Sequence, residues 1–192
     1  MIQIVVLVDM EVQVPNKGVF MGLFDFFNKK NKKEEDNNTL EVSVFAPIEG
    51  ECVDISNVPD DTFAKKMLGE GVAIIPSKSG EVLSPVDGKI VQLFDTLHAF
   101  TIETKEGVDI LVHFGMNTVF LKQEGFTKIL NEGDEVKAGD AIVSYDLDLI
   151  IEKGYNPITA IVVLDSDEYS NVATFTNTKV DKTKEIIRIE NK

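Results

Sequence analysis

The 192-residue chain contains two histidines, His98 and His113. His113 sits inside ILVHFGMN (110–117), an apolar and strand-like run. His98 opens the stretch HAFTIETKEGVDILVH, in which two β-like runs flank a polar turn at Lys105–Glu106. A hairpin symmetric about that turn pairs His98 directly with His113, with Cβ atoms about 4.5–5.5 Å apart. Alternation then places Leu111 and Gly115 on the side of His113. The glycine would leave room beside the imidazole for an approaching group. Thr96 stands two residues before His98, within reach to orient that ring through its hydroxyl. The same register sets Ile102 beside Asp109 and Glu103 beside Val108, poor matches that a one-residue bulge would change.

Three chemistries suit paired imidazoles. Two neutral rings can bind zinc, but a stable site takes three or four protein ligands, and the sequence has no Cys cluster, HExxH or HxH to complete it. His98 and His113 could therefore contribute to zinc only with a ligand from a partner, and no metal is expected in the isolated chain. A hydrolytic triad would need a nucleophile in a setting such as GxSxG, which is absent. In phosphoryl carriage, one ring nitrogen takes the group and the other histidine hydrogen-bonds its oxygens. Two satisfied structural histidines are the plain alternative, and the residues alone leave these readings open.

The elements that must position the pair read as β. From Thr39 onward, short Val- and Ile-rich runs such as LEVSVFAPI, VAIIPS, GKIVQLF, VDILVHF and AIVVLD are separated by Gly, Pro, Asp and Asn. Many short strands with regular turn signals indicate a sandwich or barrel, and no strands alternate with long helices. Short helices are expected at 61–68, 148–153 and 167–171. FAPIEGECV (45–53) resembles LSPVDGKIV (83–91) at an offset of 38 residues. Each copy reads as strand, acidic-Gly turn, strand. Repeated hairpins of this kind build an antiparallel β-sandwich or barrel with a few short helices.

Composition narrows the partners. Thirty-three Asp and Glu against nineteen Lys and Arg give a net charge of −14. That argues against nucleic acid, whose phosphates would be repelled, and favours a basic protein partner. One cysteine, Cys52, excludes an internal disulfide, so a reducing cytoplasm is the expected location. Cys52 lies in a β-like run and reads as a small buried residue rather than a nucleophile.

The N-terminal region divides in two. MIQIVVLVDM has an apolar run without a basic flank, too short to span a bilayer. NKGVFM back-translates to codons resembling a bacterial ribosome-binding sequence just before a Met codon. Residues 1–20 are thus expected to be a non-native extension, with translation starting at Met21; a genuine N-terminal strand is the alternative. Residues 21–38 read as a flexible charged tail. Its aromatic and lysine-rich part, 21–33, would suit a weak amphipathic contact with an anionic membrane. The alternative is a tail with stray aromatics.

TLHAFTIETKEGVDILVHFGMNTVFLKQEGF (96–126) resembles the glucose-type enzyme IIA domain of the bacterial sugar phosphotransferase system. FAPIEGECVDISNVPDDTFAKKMLGEGVAIIP, LSPVDGKIVQLFDTLHAF and the ending KTKEIIRIE resemble other blocks of that family, so the similarity covers roughly 39–190 and makes 39–192 the carrier domain. MGLFDFF resembles the start of free-standing members. The family fold is an antiparallel β-sandwich of the duplicated hybrid-motif type.

The resemblance implies that His113 is the phosphoacceptor, through Nε2, that His98 holds the phosphoryl oxygens and that Thr96 steers His98. It implies HPr as the donor, a cysteine on the IIB domain of a glucose-type IICB permease as the acceptor, and no cofactor. It also implies possible regulatory targets read through the phosphorylation state. Phe63, Met67, Leu68, Val72, Phe94, Leu111 and Met116 would rim the histidines as a docking surface. The chain departs from the family pattern at Leu97, Leu111, Asn117, Gln123, Ala160 and Asp165, none of which removes a reacting group. A mainly regulatory binding module and a zinc-dependent hydrolase on a related barrel are the competing readings.

Overall fold

The computed structural model describes residues 41–190. The expected extension at 1–20 and the tail at 21–38 lie outside the described residues. The strands run in the order β1 (Glu41–Phe45), β2 (Gly50–Asp54), β3 (Gly71–Pro76), β4 (Gly80–Leu83), β5 (Gly88–Leu93), β6 (Ala99–Glu103) and β7 (Asp109–His113). They continue as β8 (Phe126–Lys128), β9 (Glu135–Val136), β10 (Ala141–Tyr145), β11 (Thr159–Val163), β12 (Asn171–Thr174), β13 (Thr178–Val180) and β14 (Glu185–Glu190). An eight-stranded sheet has the order β13-β2-β3-β11-β7-β6-β5-β9, and two three-stranded sheets run β1-β14-β12 and β4-β10-β8. Every pair is antiparallel.

The internal repeat has a structural counterpart. Half of the large sheet, β13-β2-β3-β11, is mirrored by β9-β5-β6-β7, and the two small sheets correspond strand for strand. The copies are joined by reciprocal bonds. Phe45 N–H donates to the Pro85 carbonyl at 2.8 Å, and Leu83 N–H donates to the Pro47 carbonyl at 2.9 Å. These are the same two positions of the repeat, exchanged. Gly50 and Gly88 open the second strand of each copy, where a Cβ would overlap the backbone carbonyl of Ile75 or of Glu103. The glycines in the repeat are there because adjacent backbone passes too close for a side chain.

Period-two alternation sorts the central strands. Val72 and Ile74 of β3, Ile110 and Val112 of β7, and Ile161 and Val163 of β11 enter the main core. Ala73, Ala160 and Val162 face the other way and form a second cluster with Ile55, Val58, Phe63 and Met116. A short helix, α1 (Asp61–Ala64), and a 3-10 turn at Ile55–Asn57 supply the cover on this outer face. Burial on both faces is why these strands read as near-continuous apolar runs.

Three expected helices are shorter or shifted. α1 starts at its Asp60 cap, whose carboxylate accepts from Thr62 N–H at 2.8 Å, but it stops at Ala64 instead of 68. Lys66 takes a left-handed φ of 54° and ends it. A second helix, α2 (Leu147–Glu152), begins one residue earlier than expected, capped by Asp146. At 167–171 there is only a 3-10 turn, Ser166–Glu168. Asn171 already pairs with Glu190 in β12, and that ladder outcompetes a helix.

The hairpin register also differs from the symmetric one by a single residue. His113 lies opposite Ala99, and Glu103 opposite Asp109. Thr104 N–H donates to the Val108 carbonyl at 2.9 Å and Gly107 N–H to the Thr104 carbonyl at 3.0 Å, with Gly107 at φ 83°. The connection is therefore a three-residue loop with a left-handed glycine at its end, not a two-residue turn.

Candidate functional site

With this register His98 is not a direct cross-strand partner of His113. It precedes β6, and its carbonyl accepts Phe114 N–H at 2.7 Å. Strict alternation would turn its side chain inward with Phe100. Leu97, at φ 62°, breaks the extended backbone just before it. The two imidazoles meet nonetheless, with ring centroids 4.9 Å apart and planes at 89°.

Each ring is held from one side. Thr96 Oγ1 lies 2.6 Å from His98 Nδ1. If the hydroxyl donates, Nδ1 is the acceptor and the ring proton sits on Nε2, available as a donor. The Phe94 ring lies edge-on to His98 at 5.3 Å. Phe63, carried by α1, packs against His113 at 5.1 Å. His98 is 6% exposed, whereas His113 is half-buried. The second ring is thus the one more open to solvent.

The room around His113 comes from two alanines, of which Ala160 is one of the departures from the family pattern and Ala99 carries no signal in the sequence. Ala99 flanks it on β6 and Ala160 on β11, and Ala160 is in turn opposite Ala73. These short side chains let the imidazole meet the rings of Phe63 and His98 rather than branched neighbours. Gly115, expected to leave that room, has a different use. It sits at φ 69°, and a Cβ there would come 2.6 Å from Thr118 Cγ2. Its space is taken by the turn that follows β7.

The expected rim is partly assembled. Phe63 and Met116 are buried in the outer-face cluster, with Leu68 and Leu111 half-buried against it. Met67 is 44% exposed, and Phe94 is half-buried against His98. Val72 does not belong with them. It is fully buried in the main core, because its parity on β3 is opposite to that of Ala73. Val58, Ile158, Val162 and Leu164 also belong to the outer-face cluster without having been expected there. Lysines beside the site are matched by acids. Lys65 pairs with Asp61 at 2.6 Å and Lys66 with Glu70 at 2.7 Å, which raises the Lys66 pKa chiefly through the Glu70 hydrogen bond. Asp54 is held below the usual carboxylate range by the Ser56 hydrogen bonds.

Among the described residues, no three His, Cys, Asp or Glu side chains come together as a metal site. Nor is any helix among them long and apolar enough to cross a membrane. Cys52 is buried, and burial pushes its thiol pKa up to about 12, which leaves it poorly suited to act as a nucleophile.

Residues 42–169 match the family described as phosphoenolpyruvate-dependent sugar phosphotransferase system, EIIA 1. The chain belongs to this family. It is 45% identical over 152 residues to the PTS system glucose-specific EIIA component of Borreliella burgdorferi, covering 79% of this chain and 75% of that protein. The Haemophilus influenzae protein of the same name is 47% identical over 152 residues, covering 78% and 87%. Among solved structures, glucose permease IIA from Mycoplasma capricolum superposes with a TM-score of 0.68 at 32% identity, covering 79% of this chain and 96% of that one. The chain is therefore an EIIA phosphotransferase component that carries phosphoryl groups, built as an antiparallel β-sandwich.

Proposed function

We propose that His113 accepts a phosphoryl group on Nε2 from the phosphohistidine of HPr and passes it to a cysteine on the IIB domain of a glucose-type permease. The observation that carries this is the perpendicular pair of imidazoles 4.9 Å apart, one of them bonded through Nδ1 to Thr96. His113, with its proton on Nδ1, attacks phosphorus through Nε2. The donor's P–N bond breaks as the new one forms, and each ring keeps the proton on its other nitrogen. In the outgoing step a cysteine thiolate forms the S–P bond and His113 leaves as the neutral ring.

His98 acts on the phosphoryl oxygens through Nε2–H. Charge spreads over those oxygens in the loose transition state, so a donor aimed there lowers the barrier. The apolar rim of Phe63, Met67, Leu68, Phe94, Leu111 and Met116 excludes water once a partner docks. The acidic balance of the chain, −14 overall, suits a donor with a basic face. Residues 39–192 make up the carrier domain, residues 1–20 are dispensable to it, and the protein works in the cytoplasm.

The test is incubation with enzyme I, HPr and phosphoenolpyruvate, followed by intact mass. One acid-labile phosphoryl group should appear on the wild-type chain and none on His113→Gln. His98→Gln should still be labelled, yet pass the group on roughly 10²–10³-fold more slowly, the usual loss for one such donor. Normal labelling of His113→Gln would refute the assignment.

A further inference from the structure

Gln123 bonds to the loop that carries His98. Its Nε2 donates to the Asp95 carbonyl at 2.6 Å, over a sequence separation of 28 residues. That carbonyl stands at the tip of a tight loop. Phe94 N–H donates to Ala99 at 3.1 Å and Leu97 N–H to Phe94 at 2.8 Å, so Asp95 and Thr96 form the apex. The Asp95 carbonyl shares its peptide with Thr96, whose Oγ1 meets His98 Nδ1. Holding this peptide plane limits where the Thr96 Cα–Cβ bond can point, and so where its hydroxyl meets the imidazole.

Gln123 lies ten residues past His113, on the loop that continues from β7. Lys122 and Gln123 both adopt left-handed backbone, φ 49° and 77°. A residue with a side chain is disfavoured there and glycine is not, so the position carries strain that its surroundings must hold in place. The side-chain amide is the group that this backbone delivers to Asp95. One hydrogen bond therefore joins the exit of the strand bearing His113 to the loop bearing His98.

We infer that Gln123 is a positioning residue for the histidine pair: its amide holds the Asp95–His98 loop so that His98 Nε2 stays aimed at the phosphoryl group on His113. The inference rests on the assignment of His98 to the phosphoryl oxygens. The bond is at the surface, so it adds little to global stability, and its effect is on orientation.

Two variants separate the possibilities. Gln123→Glu keeps the length but replaces the donor with a carboxylate oxygen that repels the Asp95 carbonyl. Gln123→Gly removes the tether and suits φ 77°, so its melting temperature should not fall. In both, uptake of label from phospho-HPr on His113 should hold within about twofold while the chase onto a IIB domain slows about 3–10-fold in kcat, the scale of one net hydrogen bond. The KM for the IIB domain should not change. The His98 ring nitrogen resonances should shift in both variants, in the unphosphorylated protein. A wild-type chase rate in both variants, unmoved His98 resonances, or a raised KM with unchanged kcat would each overturn the inference. If the wild-type chain takes no label on His113, the carrier reading fails instead. The His98 resonances would then still report whether the amide holds the loop.

Discussion

Thr96→Val tests how the His98 ring is set. Valine keeps the branched shape and removes the hydroxyl, so the 2.6 Å bond to Nδ1 is lost. With the hydroxyl as donor, the sense that the role proposed for His98 needs, that bond favours the ring state with Nδ1 as acceptor and the proton on Nε2. A net hydrogen bond contributes about 0.5–1.5 kcal/mol, which corresponds to about a 2–10-fold change in the balance between ring states. The outgoing step runs through this one aimed ring state, so the contribution of the bond, once lost, is added to the barrier of that step. Thr96→Val should therefore slow that step about 2–10-fold, well short of the loss of roughly 10²–10³-fold for His98→Gln. Thr96 is only half-buried, so the global fold should be unaffected. Quench-flow chase from labelled His113 onto a IIB domain measures the rate, and ring 15N shifts of His98 report its tautomer. A loss equal to that of His98→Gln would refute the reasoning, since it would mean the hydroxyl touches the phosphoryl group itself. A wild-type rate with an unchanged tautomer would refute it from the other side.

Further outcomes follow from the same structure. Gly88→Ala places a Cβ on the Glu103 carbonyl and should cost about 1–3 kcal/mol by chemical denaturation; Gly80→Ala has nothing within 4 Å and should be neutral or stabilising by about 0.4–1 kcal/mol. The bidentate bond from Arg188 holds Glu185 below the ordinary carboxylate value of 4.5, helped by the Ser43 hydroxyl. Folded Glu185 thus binds its proton less readily than unfolded Glu185. Its stabilisation is full above the unfolded value and lost as pH falls through the lowered folded one, so Glu185→Gln should flatten the acid limb of a stability–pH curve. An equally steep limb in that variant would assign the effect to other carboxylates. A chain starting at Met21 should fold cooperatively and take label as the full chain does, and loss of cooperative unfolding would show that residues 1–20 belong to the fold.

The local features of this protein are written in its residues. Short alternating runs, acidic-Gly turns and the copy of 45–53 at 83–91 follow from backbone preferences a few residues long, and they specify a duplicated antiparallel sandwich. The paired histidines and the neighbouring threonine are legible for the same reason, since a hairpin brings its own ends together. Even the register had a local signal in Gly107, which suits the left-handed end of a three-residue loop. Other features depend on which face a strand turns to the core, and that is settled by neighbours far away in sequence. Val72 and Ala73 look equally apolar in VAIIPS. Only the packing of β3 beside β11, under the cover of α1, sends valine inward and alanine toward His113. The space beside His113 is likewise a product of three strands, through Ala99 and Ala160, and not of the glycine next to it. The reach of Gln123 to Asp95 belongs to the same class. A surface glutamine carries no periodic signature, and its partner is set by where the loop after β7 comes to lie.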